Sequence, residues 1–579
     1  MANMIQNAKD SINALLNDAC LKAAAKGQLP EGAALSGTVE IPKDTQNGDY
    51  AANHAMTGAR ALHMAPRKIA EALVENLDLE GSWFSSVEVA GPGFINFRLA
   101  PNWYADVLSC VKAEGADYGR VDEGRGARLM VEFVSANPTG PMHMGNARGG
   151  VLGDALSCVL DRAGYNVWRE FYVNDAGNQI EKFASSIDAR YRQLILGEDK
   201  VAFPEDGYQG EDIRELARAF YDEHGDSWLN KDVTERHAAM ARFGLDRNIP
   251  KMQADLKRYG VEYDEWFFES SLHESGFVAD TVGKLTEKGY TYEKDGALWL
   301  KTAQILSENM RKAGKSEAEI EKLELKDDVL RRANGFYTYF AADIAYHRNK
   351  LETRGFDRAV NVWGADHHGH VARLKGALDA LGLDGEHRLT IVLMQLVKLM
   401  SDGHEVRMSK RTGKAISLTN LLDDIPVDSA RYFFNSRPES PVLFDLELAE
   451  RQDNENPVYY VQYAHARICT LIENLAAEGH SIPDTLDAAL LTDETERELI
   501  KQLAALPDEI RLAARDLDPS RVNKYVSELA ARFHRFYTVC RIKDAEPGLL
   551  EARLYLADCV RRVIAISLGI IGVNAPEKM

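Results

Sequence analysis

One stretch of this chain limits its fold more than any other. Leu129 to Val134 is a compact apolar run broken by Glu132, and a loop holding Pro138, Gly140 and Pro141 follows it. A helical period then extends from Asn146 to about Ala163, where Gly164 stops it, and Val167 to Val173 reads as a second strand. Two strands joined by a crossover helix pair in parallel, because only such a connection returns the chain to the same end of a sheet. The unit therefore opens a doubly wound sheet, whose ligands sit beyond the carboxyl ends of the strands. The same pattern resumes with Ala359 to Trp363, then Gly364-Ala-Asp-His-His-Gly369 and a helix to about Leu381, then the apolar run Leu389 to Leu399. The fold class expected is α/β, a doubly wound parallel sheet of Rossmann-like type, with a small α+β domain before it and an all-α bundle after it.

At 579 residues the chain exceeds what a single core supports, so two to four domains are expected, each with its own core. Helical spacing at Ile12 to Gly27 and Arg67 to Leu77, with short strands at Val87 to Ala90 and Phe94 to Phe97 around Gly91-Pro-Gly93, outlines a first domain over 1–115. The doubly wound domain spans 116–450, with a charged, helix-rich insertion at about 185–330 that includes the solvated run Ser316 to Asp328. Apolar positions keep a helical period from Pro457 onward, giving a helical domain over 451–579. The six cysteines are scattered without a C-x-x-C pair and read as reduced thiols rather than zinc ligands. The N-terminus shows no secretory signal, and the longest apolar stretch, Val563 to Val573, is too short to span a bilayer. A cytoplasmic, non-membrane protein is expected.

Two segments far apart in the chain carry the chemistry. Asn137-Pro-Thr-Gly-Pro-Met-His-Met-Gly-Asn146 lies at the turn from the first strand into its helix, and Arg407-Met-Ser-Lys-Arg-Thr-Gly413 follows the last apolar run. The first loop has no G-x-G-x-x-G, and Gly413-Lys414-Ala415 lacks the hydroxyl residue that completes a P-loop. What remains is a helix N-terminus, which attracts phosphate through its free amides and dipole. His143 and Asn146 add donors there, and Gly145 lets a ligand approach the backbone. Taken singly, His143 reads as an ordinary loop histidine and Met408 to Lys414 as a solvated basic turn. Occurring together, in this order, they point to a two-piece nucleotide site.

These segments resemble the HIGH and KMSKS signatures of class I aminoacyl-tRNA synthetases, and their surroundings are similar to the arginyl-tRNA synthetase family. Val131 to Gly140, Thr338 to His347, Gly364 to Arg373, Gly91 to Asn96 and Gly569 to Met579 share in the resemblance, so it covers essentially the whole chain. Two positions depart from the signatures: Asn146 stands for the usual last histidine and Arg407 for the usual first lysine. Asparagine donates hydrogen bonds but carries no charge.

The resemblance implies an ATP-dependent ligase that joins L-arginine to its tRNA through an arginyl-adenylate, releasing AMP and pyrophosphate. ATP enters with Mg2+ as a substrate complex, no metal is bound by the protein itself, and tRNA(Arg), arginine and ATP are the partners of an expected monomer. It assigns catalysis to His143, Asn146 and Lys410, and ATP to these together with Gly145, Gly364, Asp366, His367, Met408 and Ser409. It assigns arginine to Glu132, Ser135, Asn137, Tyr339 and Asp343. The spacing of Tyr339 and Asp343 puts both on one helical face, and a guanidinium asks for carboxylates. Such a pocket rejects lysine by about 10⁴ without editing. His367, His368 and His370 fit a nucleotide pocket better than a metal cluster.

A formal charge of −20 excludes indiscriminate nucleic-acid binding but not a local basic face. The C-terminal series Arg515, Arg521, Lys524, Tyr525, Arg532, Phe533, Arg535, Phe536, Tyr537, Arg541 and Lys543 has the basic and aromatic make-up that reads single-stranded loops, while its bland reading is a bundle core with solvated charges. The resemblance makes this an anticodon-binding bundle and the first domain a binder of the tRNA elbow. Asp49, Tyr50, Phe94 and Asn96 are the expected contacts in the first domain, with Arg521, Lys524, Arg532, Tyr537 and Met579 at the other end. A small-molecule nucleotidylyltransferase would explain neither outer domain, and a silent tRNA-binding paralogue would need neither His143 nor Lys410.

Overall fold

The computed structural model describes residues 3–365, 368–395, 397–401, 403–406, 417–436 and 442–579. Its centre is a sheet of five strands in the spatial order Leu389–Met394, Arg358–Gly364, Arg128–Glu132, Asn166–Val173, Glu265–Phe268, every neighbour parallel. The strand earliest in the chain is central, two later strands extend the sheet on one side, and the last two extend it on the other. The winding reverses between Arg128–Glu132 and Arg358–Gly364, which is where such a sheet opens a crevice at its carboxyl edge. Glu132 and Gly364, the last residues of those two strands, stand at its rim.

The crossover helix Met144–Arg162 lies close on this sheet, buried without a break from Ala147 to Ser157. Gly153 permits that approach: a Cβ there would sit 2.0 Å from the Phe133 ring. Arg148, fully buried on the same helix, donates to the Gln395 carbonyl at 2.6 Å and so ties the helix to the end of the outer strand. Burial lowers its guanidinium to a pKa of about 10.

The segment 185–330 does not stay outside the sheet. Glu265–Phe268 is the edge strand, and Trp266 stacks on Phe171 at 4.1 Å between ring centroids. Four residues between helical neighbours give too short a period-two signal to stand out in sequence. The rest of the segment forms two bodies. Helices Asn178–Leu196, Glu211–His224 and Val233–Arg258 pack around Phe183, Tyr191 and Phe220. An antiparallel sheet of Thr291–Lys294, Ala297–Leu300 and Asp328–Arg331, the insertion sheet, shares a core with helices Tyr339–Arg348 and His368–Leu381 through Leu300, Leu330, Ile344 and Leu374.

A four-stranded antiparallel sheet with the helices Met4–Ala25, His54–Leu62, Pro66–Asn76 and Pro101–Glu114 forms the N-terminal region. The C-terminal region is helical, from Pro457–Ala477 to Leu549–Ile570. The architecture is thus α/β and doubly wound, flanked by an α+β region and an all-α bundle.

The separate cores expected for these regions are not what forms. Ile12 and Val107 of the N-terminal region, Val151 and Leu156 of the crossover helix, and Leu529 and Val560 of the bundle belong to one continuous apolar cluster. Polar contacts cross the same boundaries: Tyr118 Oη donates to the Leu503 carbonyl at 2.9 Å, and Lys501 pairs with Asp49 at 2.7 Å. Fully buried Arg431 donates to the carbonyls of Tyr259 and Ile571 at 3.0 and 3.2 Å and pairs with Asp154, joining bundle and crossover helix. Apolar faces that would otherwise meet water are covered by the neighbouring region, and periodicity within one segment cannot reveal that partner. Among the described residues no helix is long and apolar enough to cross a membrane.

Candidate active site

A cleft of about 1580 Å³ opens at the carboxyl edge of the central sheet. One end is the N-terminus of the crossover helix, where His143 and Asn146 cap reciprocally. The Gly145 amide donates to His143 Nδ1 at 3.2 Å, and the His143 amide donates to Asn146 Oδ1 at 3.0 Å. Because Nδ1 accepts, the proton of the neutral ring resides on Nε2, which faces the cleft as a donor. The cleft walls lower the imidazole pKa by desolvation, which favours that neutral form. Asn146 spends its oxygen on the cap and keeps its amide NH₂ for a ligand. Gly145 fits beneath the ring, since a Cβ there would lie 3.1 Å from His143 Cε1.

The segment that follows the second signature reaches the same place. Residues 407–416, which carry Met408, Ser409 and Lys410, lie outside the described residues, as do Asp366 and His367. The chain reappears at Ser417, which forms a bridge with His143, while the Leu418 amide donates to the Met142 carbonyl at 2.8 Å. Ser417 then caps the helix Leu418–Asp424 in a box with Asn420. The segment after the second signature is therefore stitched onto the first.

The opposite end of the cleft is lined with carboxylates. Glu132, 5 % exposed, receives the Lys350 ammonium on Oε2 at 2.5 Å and the Ser135 hydroxyl on Oε1 at 2.9 Å. Ser135 is aimed there by an unusual backbone: Val134 and Ser135 have φ of 70° and 44°, and the Ser135 amide donates to the Phe133 carbonyl at 3.1 Å, making a tight γ-turn. Left-handed geometry at a β-branched residue costs on the order of 1–3 kcal/mol and concentrates at functional sites. The turn also brings Asn137, exposed, to the cleft wall beside Gly364.

Asp343 lies one helical turn beyond Tyr339, whose ring is half-exposed over Gly177. Its Oδ1 is 3.1 Å from His347 Nδ1 and its Oδ2 2.5 Å from His370 Nε2. Burial alone would raise the carboxyl pKa, but the two imidazoles hold it well below the usual carboxylate range. A third carboxylate, Glu269, is 3 % exposed, accepts from Tyr172 Oη at 2.8 Å and has its pKa raised by burial. Carboxylates drawn out of water are costly unless cations and donors hold them, as Lys350 holds Glu132. Among the described residues no group of three or more His, Cys, Asp and Glu side chains is arranged to hold a metal ion.

Known proteins share this arrangement of strands and signatures. Residues 109–453 match the family described as tRNA synthetases class I (R), catalytic domain; residues 6–99 match the arginyl tRNA synthetase N terminal domain, and residues 461–579 the DALR anticodon binding domain. An arginine–tRNA ligase of Caldanaerobacter subterraneus subsp. tengcongensis is 52 % identical over the whole of both chains. One of Desulfitobacterium hafniense is 50 % identical over 99 % of each. The chain belongs to the arginyl-tRNA synthetase family. The arginyl-tRNA synthetase of Thermus thermophilus, 21 % identical, has the same fold, with a TM-score of 0.70 over 98 % of this chain and 100 % of that one.

Within this synthetase frame, the cleft brings together Glu132, Ser135, Asn137, Tyr339 and Asp343 with His143, Gly145, Asn146 and Gly364. Sequence reading missed Glu269, Tyr172 and Lys350, and His370, read as part of a nucleotide pocket, stands against Asp343. Glu269 adjoins the edge strand hidden in the insertion, and Lys350 follows the Tyr339–Arg348 helix, so neither lies in a recognisable signature.

The expected RNA contacts divide by exposure. Tyr50, 2 % exposed, packs edge-on to Phe84, so it is a core residue rather than a surface contact. Asn96, 3 % exposed, is also enclosed, and Asp49 is engaged with Lys501 and the Leu99 amide. Phe94, the first residue of the same strand, is exposed although it shares a face with Asn96. In the bundle Tyr525, Phe533 and Phe536 are buried core, as the bland reading had it. Arg521 pairs with Glu509 and Arg532 with Glu498, Tyr537 lies under Arg467, and Lys524 and Met579 are exposed.

Proposed function

We infer that this cleft attaches arginine to tRNA at the cost of one ATP, which is the ligase activity carried by the family to which the chain belongs. The arginine carboxylate attacks the α-phosphate of ATP and pyrophosphate leaves. A ribose hydroxyl at the 3′ end of tRNA(Arg) then attacks the acyl carbon, and AMP leaves. Both steps ask the protein for positioning and for stabilisation of charge on phosphate oxygens.

His143 Nε2 and the Asn146 amide donate to those oxygens from the helix N-terminus, and Lys410 supplies the cation from the second signature. Gly145, Gly364, Asp366, His367, Met408 and Ser409 complete the ATP side, and Mg2+ enters with ATP as part of the substrate. Glu132, Glu269 and Asp343 receive the guanidinium beside Tyr339, while Ser135 and Asn137 attend the substrate's backbone end. Phe94, Arg521, Lys524, Arg532, Tyr537 and Met579 are the expected RNA contacts with accessible surface. The chain works in the cytoplasm, as a monomer.

The observation that carries this reading is the meeting, in one cleft, of a reciprocally capped helix N-terminus with the buried carboxylates of Glu132 and Glu269 and the partly buried one of Asp343. The test is ATP-dependent attachment of labelled arginine to total tRNA, with lysine and glutamine in parallel and Lys410→Ala as control. Arginine-specific charging that collapses in the variant is expected. Charging of lysine or glutamine instead would overturn the assignment of the pocket.

A further inference from the structure

The insertion sheet reaches the arginine pocket through the Thr338 amide, which donates to the Leu330 carbonyl at 2.9 Å, and through the side chain of Asp328. Asp328, the first residue of its last strand, accepts from Arg373 Nη1 at 2.5 Å and from the Thr302 hydroxyl at 2.8 Å, so both oxygens are fixed. Arg373, on the helix His368–Leu381, also donates to the Gly369 carbonyl at 3.2 Å, and its Nη2 lies 3.4 Å from His370 Nδ1. A guanidinium only donates, so His370 Nδ1 accepts and the ring proton sits on Nε2. That proton points at Asp343 Oδ2, 2.5 Å away. The His370 ring is held between Phe340 and Trp363, at centroid distances of 5.3 and 5.7 Å.

The other oxygen of Asp343 is fixed from the sheet side. Lys350 Nζ donates to Asn361 Oδ1 at 3.2 Å as well as to Glu132, which turns the Asn361 amide nitrogen toward His347 Nε2 at 2.8 Å. His347 Nε2 therefore accepts, and its proton is on Nδ1, which donates to the Asp343 backbone carbonyl at 2.8 Å and stands 3.1 Å from the carboxylate Oδ1. Two chains of oriented groups thus converge on a single carboxylate. One is anchored in the central sheet, the other in the insertion.

We propose that the insertion sheet serves amino-acid recognition, with Asp328 and Arg373 as positioning residues that set the tautomer and orientation of His370 and thereby hold Asp343 in the geometry a guanidinium needs. Asp328 has a second effect in the same direction: by fixing the Arg373 guanidinium it keeps a side chain of the substrate's own chemistry from turning into the pocket. The proposal rests on the reading of the cleft as an arginine site.

The experiment measures KM for arginine and for ATP separately in aminoacylation by the full chain, comparing the parent with Asp328→Asn, Arg373→Gln and the double variant, each with its thermal melt. Arginine charging by the parent tests the underlying reading before any variant is considered. The expected result is an arginine KM raised about tenfold in each single variant, ATP KM and melting temperature held, and a double variant no worse than the poorer single, because the two residues act in series. An arginine KM unchanged in folded Asp328→Asn, or arginine and ATP KM rising together, would overturn the proposal while leaving the arginine site standing. Additive effects of the two substitutions would overturn it as well.

Discussion

The two ends of the cleft are built on opposite plans. At the phosphate end a few groups stand on one helix terminus: His143 and Asn146 cap each other, and Ser417 bridges to His143. At the arginine end every acceptor is already engaged, Glu132 by Lys350 and Ser135, Asp343 by two histidines, Glu269 by Tyr172. Phosphate needs donors and positive potential, which a helix N-terminus supplies from its backbone. A guanidinium needs oriented carboxylates out of water, and these survive burial only when a network of donors holds them. The phosphate end therefore depends on few residues with large effects, and the arginine end on many residues that share the load.

The largest test of that contrast is His143→Ala, which removes the Nε2 donor and half of the cap. Loss of a preorganised donor lowers kcat by about 10²–10³, with arginine KM held; steady-state charging kinetics check it. Asp343→Asn comes next, because it leaves His347 and His370 aimed at a neutral amide. Arginine KM rises about a hundredfold while ATP KM stays, measured in the same assay.

Asn146→Asp separates the two uses of that residue. It keeps the oxygen that accepts from the His143 amide, so the melting temperature is held, yet it replaces the NH₂ donor by a negative oxygen facing phosphate. ATP KM rises or kcat falls about tenfold. Unchanged ATP KM and kcat in the folded variant would mean that the cap, worth about 1 kcal/mol, is the residue's main task.

Glu269 gives the smallest and most specific effect, seen in the pH dependence. Burial raises its carboxyl above the ordinary glutamate value of about 4.3, so the ionised acceptor is lost as pH falls through that raised pKa. Arginine KM therefore climbs on acidification, and Glu269→Gln removes this limb by raising KM at every pH. Tyr172→Phe, which takes away one hydrogen bond to Glu269, moves the limb to higher pH with a change of a few-fold in KM.

Local patterns in the sequence determined the doubly wound sheet and the helix terminus at its carboxyl edge. Strand, glycine- and proline-rich loop and helix follow one another in the chain, and the signature residues that cap the helix are within four positions of each other. The charge and aromatic series of the bundle was legible too, although its burial pattern turned Tyr525, Phe533 and Phe536 into core and left Lys524 outside.

Only tertiary structure decided the rest. It placed Glu265–Phe268 at the sheet edge, merged three regions into one core, enclosed Tyr50, and set Lys350, Asn361, His347, His370, Arg373 and Asp328 around Asp343. The physical reason is range. Periodicity and capping act between residues a few positions apart, whereas a buried carboxylate is stabilised by whichever donors the fold carries to it, from strands and helices far apart along the chain.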